Sequence, residues 1–337
     1  MATITGFKAL GQGGIPDPMR RKRPYPGPVP SALMSVKGNL GVAMKLGFGR
    51  GRVAKLAQTL CALAMLSSCT NYPVMTAGPE TDVASVAKTC CIGVDRYPDP
   101  IIAMIEPKAD RASIVNDAHH LRQPYLKDKP EAWEFVQRHL RPMDILLTND
   151  RSQINGYFIP GYFKHSLVYL GTEKQLRAHG LWQLSALDPH RDKIRNGQVF
   201  YESTPPRVMF SPVENILDVD GVGVFRPNLT QAEKRHALQV LMAQWDKPFD
   251  MHMDLQTQEC LFCAELVNLA MPGLKLPQQQ AYGRSLIVPD AIAAHGLVDP
   301  SLTFIGFVAA GPNWARSLTR QDLAETIKKH WPRPEMH

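Results

Sequence analysis

The sequence predicts an α+β domain, a small sheet with helices packed against it, behind a separate basic leader. Three observations carry that expectation. Short runs of buried residue types, bounded by turn residues, recur through the body of the chain, as in Asp144-Ile145-Leu146-Leu147-Thr148 and Gln198-Val199-Phe200-Tyr201-Glu202. Helical patterns with start signals stand between them rather than alternating strictly with them, which favours a small sheet with helices against it. The charge is also split: residues 1–68 carry a net +9 and residues 69–337 a net −2. The basic balance therefore belongs to the leader, and nothing in the body argues for a nucleic-acid partner. With 44% hydrophobic residues, 337 residues can bury a sizeable core.

Taken in order, residues 70–110 show no clear periodicity. Pro130 to Leu140 reads as a helix with proline at its start and Trp133, Val136 and Leu140 on one face. Asp144–Thr148 and Lys164–Gly171 follow as strands, and on the second His165, Leu167 and Tyr169 share a face. Between them lies an aromatic loop over 156–163. Residues 173–197, polar and punctuated by Pro189 and Gly197, read as an exposed insertion. Gln198–Glu202, Val208-Met209-Phe210 and an edge-like Gly223–Pro227 come next. Thr230-Gln231-Ala232-Glu233 is a capping box opening a helix to about Trp245. Leu286–Val288 and Phe304–Val308 read as later strands, and Gly311-Pro312-Asn313 breaks the chain before a terminal helix near Gln321–His330.

The leader has its own grammar. Residues 1–43, with Arg20-Arg21-Lys22-Arg23 and six prolines between Pro16 and Pro30, read as a disordered basic extension, or as sequence upstream of the true start. Residues 44–68 read as a signal peptide: Arg50, Arg52 and Lys55 form its positive region and Leu56–Met65 its apolar region, too short to span a membrane. Leu66-Ser67-Ser68-Cys69 resembles the lipobox of bacterial lipoproteins. That resemblance implies a lipid on Cys69, membrane attachment through it, and residence in the cell envelope. Thr70, standing where Asp would retain the protein at the inner membrane, implies the outer membrane facing the periplasm. Residues 69–129 are then a tether and N-terminal region, and residues 130–337 the working domain.

In the body, Glu259 to Ala270 draws attention. It reads as an extended entry followed by a helix opening at Cys263 and stopped by Pro272-Gly273. A cysteine at the first turn faces unpaired N–H groups and the positive end of the helix dipole, both of which favour the nucleophilic thiolate. Cys260 falls in the extended entry instead. An extracytoplasmic location permits disulfides among Cys90, Cys91 and Cys260, with the pairing left open. Cys260-x-x-Cys263 has no second Cys/His pair at ligand spacing and no thioredoxin-like surroundings, so no metal or organic cofactor is expected. A thiol nucleophile needs a base, and the base an orienting partner. His165 on its strand and Glu202 at the end of an apolar strand are the candidates.

Several pieces in order resemble the permuted papain-like amidases, the YaeF/YiiX-like branch of the NlpC/P60 superfamily. They are Met143-Asp144-Ile145-Leu146-Leu147, Phe163-Lys164-His165-Ser166-Leu167-Val168-Tyr169-Leu170 and Phe200-Tyr201-Glu202-Ser203. Val224-Phe225-Arg226-Pro227, Lys247-Pro248-Phe249-Asp250, Cys263-Ala264-Glu265-Leu266-Val267 and Val288-Pro289-Asp290-Ala291 follow. The chain departs from the family where Met143 replaces Gly, Phe249 replaces Tyr and Ala264 replaces Ser. The resemblance implies a circularly permuted papain-like fold with a small antiparallel sheet. It implies a cysteine hydrolase of amides or esters with Cys263 as nucleophile, His165 as base and Glu202 orienting it. Cell-wall peptides, lipids and N-acyl amino acids stay open as substrates. Acyl transfer by the same fold and a tethered, non-catalytic binding module are the alternatives. The Cys263 N–H is a candidate oxyanion donor, with Tyr162 a further contributor.

Overall fold

The computed structural model describes residues 81–91, 122–150, 159–281 and 283–331. These belong to one compact unit, Met75–His337. The basic extension, the signal peptide and Cys69 lie outside the described residues. None of the described helices is long and apolar enough to cross a membrane.

A seven-stranded antiparallel sheet forms the frame: β1 (Ile145–Asn149), β2 (His165–Tyr169), β3 (Phe200–Thr204), β4 (Arg207–Ser211), β5 (Gly221–Pro227), β8 (Leu302–Gly311) and β9 (Trp314–Leu318). They lie in the order β4-β3-β2-β1-β5-β8-β9. A two-stranded ribbon, β6 (Gln279–Ala281) with β7 (Arg284–Leu286), stands apart. β1 is buried along its whole length, Thr148 and Asn149 included, as expected of a strand covered on both faces. β5 was expected near an edge; it is the strand between β1 and β8, every residue buried except Arg226. Gly311-Pro312-Asn313 turns into β9 rather than directly into a helix. That edge strand is mostly exposed, so it lacks the alternation that marks a strand in sequence.

Helices α1 (Val83–Thr89), α2 (Pro130–His139), α3 (Glu173–Ala178), α4 (Arg191–Arg195), α5 (Val213–Ile216), α6 (Gln231–Ala243), α7 (Cys263–Ala270), α8 (Pro289–Gly296) and α9 (Arg320–His330) complete it. α7 packs on β2, β3 and α6, while α8 packs on β5 and β8. The Thr230–Glu233 capping box opens α6 as expected, with both reciprocal contacts made. On α2 the buried residues are Ala132, Phe135 and Val136, so the helix is rotated slightly from the expected face and Trp133 is only half-buried. The segment 173–197 is not simply an exposed insertion. It folds into α3, a 3-10 turn (Ser185–His190) and α4, and it buries Leu176, Leu181, Trp182, Leu187 and Ile194. Its polar residues are the outer covering of a packed element.

The motif residues outside the candidate triad turn out to be braces. Asp144, fully buried, accepts from Arg226 Nε at 2.8 Å and Nη2 at 2.7 Å, and from the Arg141 N–H at 2.8 Å. This bidentate pair joins the start of β1 to β5. Met143 has φ +77° and is 1% exposed. A side chain in that region costs about 1–2 kcal/mol, which buried packing of the thioether offsets. Met143→Ala therefore loses the packing and keeps the strain, whereas Met143→Gly loses the packing and releases it. We expect the stability order wild type, then Met143→Gly, then Met143→Ala, with the two variants about 1 kcal/mol apart. Urea titration decides, and alanine as the better-tolerated residue would refute it.

Candidate active site

His165 opens β2, and Glu202 sits within β3. The register pairs Tyr169 with Phe200, so His165, Leu167 and Tyr169 share a face with Phe200 and Glu202. His165 Nε2 lies 2.6 Å from Glu202 Oε2. Because Nε2 is engaged there, Nδ1 is left for the third group. That group is Cys263, the first residue of α7 and 4% exposed, whose thiol is close enough to the His165 ring to interact with it. The structure thus brings together all three residues singled out in the sequence.

The segment entering α7 is held from several sides. The Leu261 N–H donates to Pro248 O and its carbonyl accepts from the Asp250 N–H, both at 3.0 Å. Ser203 Oγ also donates to Leu261 O, at 2.5 Å. Asp250, 1% exposed, accepts the His252 and Asp254 N–H groups at 2.8 Å each, so the Lys247–Asp250 motif braces the approach to the nucleophile. At the third helical position Glu265 reaches back to the Phe262 N–H at 3.4 Å, half of a capping box, since Phe262 has no acceptor of its own.

Electrostatics divide the two thiols. For Cys263, burial opposes ionisation most strongly, but the hydrogen bond and charge of His165, with help from Ser166, outweigh it and hold the thiol below its ordinary range. The help from Ser166 comes first from its backbone, and its buried hydroxyl makes no other hydrogen bond. For His165, burial works against the imidazolium, while bonds to Cys263 and Glu202 outweigh that and raise it to about 10. Glu202 is held below its ordinary range: His165 and Ser211 outweigh the desolvation that would raise it. Cys260 goes the other way, pushed up to about 11 by burial and by Asp250. Cys260 is also free, because Cys90 pairs with Cys91 and no bridge to Cys260 forms.

Other expectations are redirected. The Tyr162 ring packs at 4.9 to 5.5 Å on Phe163, His330 and Phe307. That places the ring in the β8–α9 packing. Its backbone matters more: Asp290, fully buried at the start of α8, accepts the Tyr162 and Phe163 N–H groups at 2.7 Å each and Trp331 Nε1 at 2.6 Å. Gly161, at φ +93°, leaves room for this, since a Cβ there would lie 2.4 Å from Asp290 Oδ2. The loop leading into His165 is thereby anchored to the C-terminal helix. No sequence signal ties residue 290 to residue 162. Ser211 was also missed: its hydroxyl donates to Glu202 Oε1.

Residues 139–322 match the permuted papain-like amidase enzymes of the YaeF/YiiX, C92 family. The chain belongs to that family. It is a cysteine amidase or peptidase-like hydrolase, with the mixed helices and antiparallel sheet of that fold. No curated protein and no solved structure matches the chain significantly. Among the described residues no cluster of His, Cys, Asp and Glu could hold a metal ion.

Glu265 carries a consequence for stability in this family member. Burial, partly opposed by the Phe262 N–H and reinforced by Asp250, raises its carboxyl to about 7 from an ordinary 4.5. Between those values the folded chain holds a proton that the unfolded chain has lost. Stability therefore falls as pH rises through that window, by on the order of 3 kcal/mol in total. Glu265→Gln should remove this slope and make the protein more stable at pH 8 than wild type. Urea midpoints at pH 5 and pH 8 test it, and an unchanged slope in the variant would sink the assignment.

Proposed function

We propose that Cys263, His165 and Glu202 are the catalytic triad of a lipid-anchored, extracytoplasmic hydrolase of amides or esters. The observation that carries this reading is the continuous line of contacts from Cys263 through His165 to Glu202. The Cys263 thiolate attacks the carbonyl carbon, and the oxyanion forms against the Cys263 N–H, which at the first helical position has no intrahelical acceptor. The His165 imidazolium gives its proton to the leaving amine or alcohol, and a thioester remains on Cys263. Water, deprotonated by His165, then attacks the thioester; the acid is released and the thiolate–imidazolium pair is restored. Glu202 orients the ring and stabilises its charged form.

The lipid anchor at Cys69, and with it an outer-membrane position facing the periplasm, rests on the signal-like pattern of residues 44–68. Mass spectrometry of the membrane-extracted protein tests it: the expected mature chain begins at a lipidated Cys69, and an intact N-terminus upstream of Cys69 rules the anchor out. The chemistry is tested by acid-quenching reactions with peptide amides, N-acyl amino acids and acyl esters. A thioester adduct confined to Cys263 is expected with the true substrate class. Turnover with an adduct at any other residue would remove the triad.

A further inference from the structure

We propose that Ser211 is a positioning residue of this site, holding Glu202 ionised and aimed at His165. The proposal rests on the triad reading above. Glu202 has two carboxylate oxygens. Oε2 meets His165 Nε2, and Oε1 accepts from Ser211 Oγ. Ser211 is 1% exposed and Glu202 7%, so solvent has little access to replace that donor. The arrangement follows from the β3–β4 hairpin. Phe200 pairs with Ser211 and Glu202 with Met209, which puts Ser211 diagonal to Glu202 on the face that carries His165. Because Glu202 is an acceptor at both oxygens, the hydroxyl is the donor, and it fixes the rotation of the carboxylate as well as its charge.

Removing that donor leaves a buried carboxylate oxygen unsatisfied. The proton shared with His165 then moves toward Glu202, and the imidazolium is held less firmly. The effect is read from alkylation of Cys263 in the full-length chain, with the modified residue located by fragment mass spectrometry. Iodoacetate is drawn by the imidazolium charge and neutral iodoacetamide is not. The pH at which the iodoacetate-to-iodoacetamide rate ratio collapses therefore reports loss of the His165 proton.

We expect that pH to fall by roughly one unit in Ser211→Ala and in the near-isosteric Ser211→Cys, whose thiol is a weak donor. Ser211→Thr, which keeps a hydroxyl, should restore it. A residue that merely packs would leave this pH where it is. An unmoved ratio in Ser211→Cys, which preserves volume if the alanine variant fails to fold, overturns the proposal, as does Ser211→Thr shifting as far as Ser211→Cys. A wild-type protein with no reactive thiolate below the ordinary thiol range would instead overturn the triad reading itself.

Discussion

The Cys263→Ala protein should fold as wild type does, lose nearly all hydrolysis, and no longer be alkylated in the α7 segment near pH 6. The expected loss of turnover is roughly 10⁴–10⁶-fold, because loss of the nucleophile in a coupled triad removes the whole unit. An ordinary thiol near 8.5 is about 0.3% thiolate at pH 6. A thiol held low by His165 is far more ionised there, which separates Cys263 from every unperturbed cysteine. Cys260 serves as the internal control. Its thiol is raised to about 11 and it lies outside the helix, so Cys260→Ala should change neither alkylation near pH 6 nor turnover much. Thermal melts of both variants separate chemistry from folding, since Cys263→Ala removes a single buried sulfur. An inactive Cys260→Ala beside an active Cys263→Ala would reverse the assignment.

What the sequence discloses and what it hides follow from how local each signal is. β1 and β2 are legible because each carries a short run of buried apolar types, Ile145–Leu147 and Leu167–Tyr169, and α6 because its capping box is complete within four residues. Cys263 is legible because its chemistry depends on the start of one helix. β9 is hidden, since an exposed edge strand needs no alternation. The packed character of 173–197 is hidden by the polar faces that cover it. Ser211 lies nine residues from Glu202, and only the register of the β3–β4 hairpin reveals that they meet. A reader who paired the two runs about the turn at Pro205-Pro206 could have found it. Asp290 bonds to residues more than a hundred positions away, and its buried carboxylate gives no local sign of what it holds.

The His165→Ala protein should alkylate at Cys263 only when the pH is raised, and should lose roughly 10³–10⁴-fold in turnover, near the upper end for a single general base. The reasoning is a comparison of magnitudes. The dipole at a helix start favours an anion by about 0.3–1 kcal/mol, or about 2 kcal/mol when partly buried. One pKa unit is about 1.4 kcal/mol, so the dipole moves a thiol by about 1.5 units at most. Burial of Cys263 pushes in the opposite direction and is the largest single influence on it. Without the imidazolium, burial is left as the leading influence, and the thiol returns to its ordinary range or above. Iodoacetamide labelling should therefore shift to higher pH. Glu202→Gln gives the graded case: it keeps the shape beside His165 but removes the charge, so turnover falls at least about tenfold while the fold survives. The pH limits follow from the same pair. Activity rises as Cys263 ionises, below the ordinary thiol range, and is lost as His165 gives up its proton near pH 10. Labelling of His165→Ala that follows the wild-type pH curve would mean that the helix alone ionises Cys263, and His165 would have to be removed from the site.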